Sequence, residues 1–126
     1  HRQMEGDPQI RSKMRSLMLE ESRKRMMADV PEADVVITNP IHLAVALRYN
    51  MKKDDAPIVV AKGKRKIADT IKKIARENNI PIYEDKPLAR ILYKTTEVGQ
   101  QISMELYSAV AEVLAYVYKI SKGKVT

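Results

Sequence analysis

Val35-Val36-Ile37-Thr38-Asn39-Pro40-Ile41-His42-Leu43-Ala44-Val45-Ala46-Leu47 is a pair of apolar runs joined by a short break. The first run is β-branched and reads as a buried strand over 35–38. The second, carried on to Tyr49, reads as another strand over 43–49. Only residues 39–42 separate them, so the two are either a hairpin or neighbours splayed around a turn. Asn39-Pro40 marks that turn, because proline fixes its own φ and biases the preceding residue away from helix. Most Asn-Pro pairs are turns and nothing more, but this one also has a chemical option. Asparagine usually degrades when the next residue's N–H attacks its side-chain amide, and Pro40 has no N–H. The reverse attack remains, of the Asn39 side-chain nitrogen on its own carbonyl carbon. It closes a succinimide and expels Pro40 as a new N-terminus without water, metal or cofactor.

Working outward, Pro31 within Val30–Asp34 breaks a preceding helix. That helix has start signals in Asp7 at the cap and Pro8 at the first position, and it runs from Gln9 to about Ala28 without Gly or Pro. Its apolar stripe (Ile10, Met14, Leu17, Met18, Met26, Met27) is thin and Met-rich. It predicts a long exposed helix that packs on something outside this chain, with docking on its own domain as the alternative. Beyond Tyr49, residues 50–57 read as a charged loop and 58–61 as a third strand ended by Gly63. Residues 64–79 form an amphipathic helix with Ile67, Ile71, Ile74 and Ala75 on one face, stopped by Asn78-Asn79. Ile80–Tyr83 is a short strand whose Pro81 puts it at an edge or a strand start. The strand–helix–strand run suggests a right-handed parallel crossover. A short helix opens at Lys86-Pro87 and runs to Lys94 or Thr95, Gly99 interrupts, and a last helix covers about 103–119. The expected class is α/β: a small mixed sheet of about four strands surrounded by helices and preceded by a long N-terminal helix.

The chain has 126 residues, enough for one core. With no Phe or Trp, that core rests on Ile, Val, Leu, Ala and Met, with six Tyr at its edges. No cysteine is present, which excludes disulfides, thiolate catalysis and Cys-type zinc sites. No stretch approaches the ~18 apolar residues of a membrane span. The two histidines, one of them residue 1, support neither a His-based metal site nor a Ser-His-Asp arrangement, and the four isolated glycines make no phosphate loop. No cofactor or metal is expected. The net charge of +7 is interspersed with acids, so it fits a solvated surface or proximity to an anionic membrane face. A small basic domain binding nucleic acid through Lys64, Arg65, Lys66, Lys72, Lys73 and Arg76 is the alternative function. Asp54-Asp55 and Glu84-Asp85 read as solvated turn residues. His42, two residues past Pro40, is placed to donate to a developing oxyanion or to shuttle a proton; otherwise it is a strand-start histidine.

The stretch MMADVPEADVVITNPIHLAVALRY (26–49) resembles the cytoplasmic domain of the FlhB/YscU family, the switch proteins of type III export, whose hallmark is Asn-Pro-Thr-His. The resemblance continues through EGDP (5–8), APIVVAKG (56–63), IARENNIPIYED (74–85), KPLAR (86–90), EVGQQI (97–102) and LYSAVAEVLAYVY (106–118), in order and over nearly the whole chain. VVAKG and EVGQQI look more flagellar than injectisome-like. The resemblance implies a membrane domain absent here, residues 1–28 as the linker helix leaving it, and 29–126 as a compact cytoplasmic domain. That domain would cleave itself between Asn39 and Pro40, with His42 the remaining motif residue, and its 39- and 87-residue pieces would stay associated. It further implies a substrate-specificity switch at the cytoplasmic face of the bacterial inner membrane. Its partners would be other export-apparatus proteins, exported rod, hook and filament subunits and a hook-length ruler protein, with no nucleic acid. A partner-binding dimple is expected beside the helix carrying Pro87, Leu88, Ala89, Arg90 and Leu92. One departure stands at Ile41, where the family has Thr. Either a hydrogen bond that shapes the turn is lost, or Ile41 packs and cleavage persists at an altered rate.

Overall fold

The structure, a computed structural model, describes residues 6–125, with side chains through Ile120. Helix α1 (Pro8–Asp29) leads through a 3-10 turn at Val30–Glu32 into β1 (Val35–Asn39), β2 (Leu43–Arg48) and β3 (Ile58–Lys64). Then come α2 (Arg65–Glu77), β4 (Ile82–Glu84), α3 (Lys86–Thr95) and α4 (Met104–Val125). The strands form one sheet in the order β3-β2-β1-β4. β1 and β2 are an antiparallel hairpin in register from Val35↔Leu47 to Asn39↔Leu43, which decides between the two readings of that pair. β2 and β3 are antiparallel while β4 lies parallel to β1, so β3 and β4 run the same way on opposite edges. The expected mixed four-strand sheet is present, and the parallel crossover spans the sheet rather than joining neighbours.

Both faces of the sheet are covered, and this explains why VVI and LAVAL are continuous apolar runs rather than alternating ones. On one face Val35, Ile37, Val45, Leu47 and Val59 pack against Leu88, Ala89 and Leu92 of α3 and Leu106, Val110, Val113 and Val117 of α4. On the other, Val36, Ala44, Ala46, Val60 and Ala61 pack against Ala68, Ile71 and Ala75 of α2. Val60 and Ala61 are adjacent yet share a face because the register slips between Ala46↔Ala61 and Leu47↔Val59, leaving Val60 as a bulge.

Helix α1 starts as its sequence predicts, with the Asp7 carboxylate accepting from the Gln9 N–H at 2.8 Å. None of its side chains is buried, and Met14, Leu17, Met18 and Leu19 are exposed. Only its last turn docks, through Met26 and Met27 against the α2 face. Residues 1–5 of the predicted linker lie outside the described residues. Among the described residues no helix is long and apolar enough to cross a membrane, and no acidic or histidine cluster could hold a metal ion.

The strand expected to end at Gly63 continues to Lys64, and Gly63 has a packing reason to be there: a Cβ at this position would overlap the Ile67 side chain. Gly99, at φ +90°, takes a backbone conformation that only glycine adopts without strain. It lets its N–H donate to the Val59 carbonyl at 2.7 Å, so the 97–102 segment covers part of the open β3 edge.

Candidate functional site

Asn39 ends β1 and Leu43 opens β2, so Pro40, Ile41 and His42 form the loop of the hairpin. The His42 N–H donates to the Asn39 carbonyl at 3.0 Å, closing a four-residue β-turn. Pro at the second position and a positive φ at the third, +77° at Ile41, are the marks of a type II turn. Glycine or asparagine normally occupies that third position. A β-branched residue there is strained by about 1–3 kcal/mol. Ile41 is 77% exposed, so its side chain does not pack. The turn is therefore held by backbone and not by the side chain at 41.

The same hydrogen bond has a chemical meaning. Its acceptor is the carbonyl that Asn39 would attack, and its donor stands where an oxyanion would grow. Asn39 is 8% exposed as a residue, and its side-chain amide, which makes no hydrogen bond among the described residues, still reaches solvent. His42 was expected to act through its imidazole. In the structure that ring is exposed, and the hydrogen bonds of His42 are made by its backbone.

Two strand-to-helix junctions grip the turn, and the sequence reading assigned neither contact. On the β1 side, the Asp85 N–H donates to the Thr38 carbonyl at 2.9 Å while the Asp85 carboxylate caps α3 by accepting from Leu88 N at 3.1 Å. Asp85 is thus no solvated turn residue. Asp85 two residues before Pro87 at the helix start was the available signal. On the β2 side, the Arg65 N–H donates to the His42 carbonyl at 3.1 Å.

Asp54 also departs from expectation. It is buried, and its carboxylate accepts from Asn50 N at 2.9 Å and from Arg48 at 3.2 and 3.3 Å. The Asn50 N–H and then the Arg48 guanidinium hold this carboxyl below the usual carboxylate range. Asp55 is exposed as predicted. Nearby, the Tyr49 hydroxyl lies 3.3 Å from that of Tyr107, which together with desolvation raises the Tyr49 pKa.

The expected partner-binding residues separate into two groups. Leu88, Ala89 and Leu92 are core residues facing the sheet, which leaves Pro87 and Arg90 as the exposed members of the set. Burial of Ala89 and Leu92 removes them as the lining of a surface dimple. Of the basic set, Lys64, Arg65, Lys66, Lys73 and Arg76 are exposed, and Lys72 pairs with Asp69 at 3.6 Å.

Residues 1–117 match the family model described as the FlhB HrpN YscU SpaS Family. The chain is 52% identical over 117 residues to the flagellar biosynthetic protein FlhB of Aquifex aeolicus, covering 93% of this chain and 33% of that protein. Against the FlhB of Escherichia coli the identity is 50% over 123 residues, covering 98% and 32%. The chain thus spans about a third of the length of these relatives. Among solved structures, the cytoplasmic domain of FlhB from Shewanella putrefaciens superposes with a TM-score of 0.79 at 48% identity, covering 81% of this chain and 78% of that one. A mutated EscU C-terminal domain gives 0.71 at 33% identity, covering 73% and 92%. With the Asn-Pro-x-His turn at the head of its central hairpin, this chain belongs to the FlhB HrpN YscU SpaS family.

Proposed function

We propose that this chain is the cytoplasmic part of a flagellar type III protein-export component that switches substrate specificity, and that it cuts itself once between Asn39 and Pro40. The observation that carries the reading is the strained turn in which the Asn39 carbonyl already accepts the His42 N–H. In the reaction, the Asn39 Nδ2 attacks the Asn39 carbonyl carbon, and negative charge develops on the oxygen facing that N–H. The C–N bond to Pro40 then breaks. One proton passes from the amide nitrogen to the Pro40 nitrogen, which leaves as a secondary amine. The products are a 39-residue piece ending in a succinimide and an 87-residue piece beginning at Pro40. Water later opens the ring. The reaction consumes its own nucleophile, so the chain is no turnover enzyme.

The ladder from Val35↔Leu47 to Asn39↔Leu43 lies outside the cut, so the pieces remain paired. Ile41 in place of Thr leaves nucleophile, carbonyl and leaving group unchanged, and its solvent-facing side chain bears on rate rather than on capability. In the whole protein, residues 1–28 would be the linker from a membrane domain and 29–126 the compact cytoplasmic domain, at the inner-membrane face. Its partners would be other export-apparatus proteins, a hook-length ruler and exported rod, hook and filament subunits, with Pro87 and Arg90 the exposed residues of the α3 set.

Mass spectrometry of the denatured chain after long incubation at alkaline pH tests the cleavage. Two masses meeting between Asn39 and Pro40 are expected, and Asn39→Ala should stay whole. An intact parent chain would refute self-cleavage for this sequence while leaving family membership standing.

A further inference from the structure

The corner where β3 turns into α2 lies directly beside the Asn39-Pro40 turn. Lys64 pairs with Leu43, the first residue of β2, and the Arg65 N–H adds one more rung to the ladder by donating to the His42 carbonyl at 3.1 Å. His42 is thereby pinned on both sides. Its N–H donates to Asn39 and its C=O accepts from Arg65. Arg65 sits at φ +51°, a second left-handed non-glycine residue alongside Ile41. The cap residue Lys64 makes no side-chain cap, so the first N–H of α2 finds its partner in the His42 carbonyl instead. Gly63 completes the corner, because only the missing Cβ lets Ile67 of α2 close against the end of β3.

We infer that this corner, built by Gly63 and Arg65, is a positioning element for bond scission: it orients the His42 peptide so that its N–H stays on the Asn39 carbonyl. The inference rests on the self-cleavage proposed above. The unfavourable φ falls at the residue whose N–H faces the turn, and it aims that N–H at the His42 carbonyl. A donor held on an oxyanion is worth about 10²–10³ in rate, and small displacements near reacting atoms are felt strongly.

The test follows cleavage by mass spectrometry in the 126-residue chain. Gly63→Ala pushes α2 away from β3 and should slow cleavage at least tenfold. Adding Ile67→Gly removes both Ile67 atoms that the new Cβ would overlap, Cγ2 and Cβ, and should restore the rate to within about threefold. Arg65→Gly keeps the N–H and accepts the positive φ, so it should cleave within about threefold of the parent. A semisynthetic chain with an ester in place of the 64–65 amide loses only the N–H and should again slow at least tenfold. In an uncleavable Asn39→Ala background, hydrogen exchange of the His42 amide should accelerate at least tenfold in Gly63→Ala while the Val36 amide, bonded to Pro81 on the far side of the hairpin, keeps its protection. A purely structural corner would loosen both amides together. Cleavage within threefold of the parent in both the Gly63→Ala and the ester chains, or an unchanged His42 amide, overturns the inference while leaving self-cleavage intact. A parent chain that never cleaves overturns both.

Discussion

Replacing Ile41 by Gly and by Ala in an Asn39→Ala background, where no cut can occur, isolates the strain in the turn. Both substitutions remove the same exposed side chain, and with Ile41 77% exposed little burial is lost in either. They differ only in the Cβ. A Cβ at φ +77° costs about 1–2 kcal/mol, the usual left-handed penalty for an L-residue. Glycine gives back about 0.4–1 kcal/mol through its freer unfolded chain. The difference makes Ile41→Gly more stable than Ile41→Ala by about 0.5–1 kcal/mol, where an ordinary extended or helical site would show the reverse order. Urea unfolding followed by far-UV circular dichroism measures this as a higher midpoint at unchanged slope. In the cleavable chain, a strain of about 1 kcal/mol released on scission predicts a rate about fivefold lower for Ile41→Gly than for the parent. Should Gly prove less stable than Ala, Ile41 is not held at a positive φ. Should it cleave as fast as the parent, the strain plays no part in scission.

Three further outcomes check the wider reading. The Asp54 carboxyl has its pKa lowered in the fold, so its stabilising effect is complete above the ordinary value of 3.8 and is lost as pH falls through the lowered one. The melting temperature of Asp54→Asn should therefore fall below that of the parent at neutral pH, with the gap closing in acid; a gap independent of pH would refute the assignment. Leu92→Ala, fully buried between α3 and the sheet, should cost about 2–5 kcal/mol in urea unfolding, and a loss under about 1 kcal/mol would show that α3 does not pack as described. Leu17→Ser on the exposed first half of α1 should shift stability by less than about 0.5 kcal/mol, since nothing in the domain covers that side chain.

The sequence by itself determined the elements: the hairpin runs flanking Asn39-Pro40, the Asp7-Pro8 helix start, the amphipathic 64–79 segment, and the absence of thiol chemistry. These follow from local periodicity and from the backbone limits of proline, which act over a few residues. The candidate pair Asn39-Pro40 was legible for the same reason, because the proposed nucleophile, carbonyl and leaving group are neighbours in the chain. What only the tertiary structure decided is how that pair is held. The Arg65 N–H reaches His42 from the start of α2, beyond β2, the 49–57 loop and β3, Asp85 reaches Thr38 across the parallel edge, and Asp54 finds Arg48 across a loop. The first two contacts depend on the sheet order β3-β2-β1-β4, which brings distant segments to the hairpin, while the third depends on how the loop after β2 folds back. The placement of Ile41 was decided in the same way. Whether it packs or faces solvent depends on the sign of its φ, and that sign is set by the turn that β1, β2 and the start of α2 close around it.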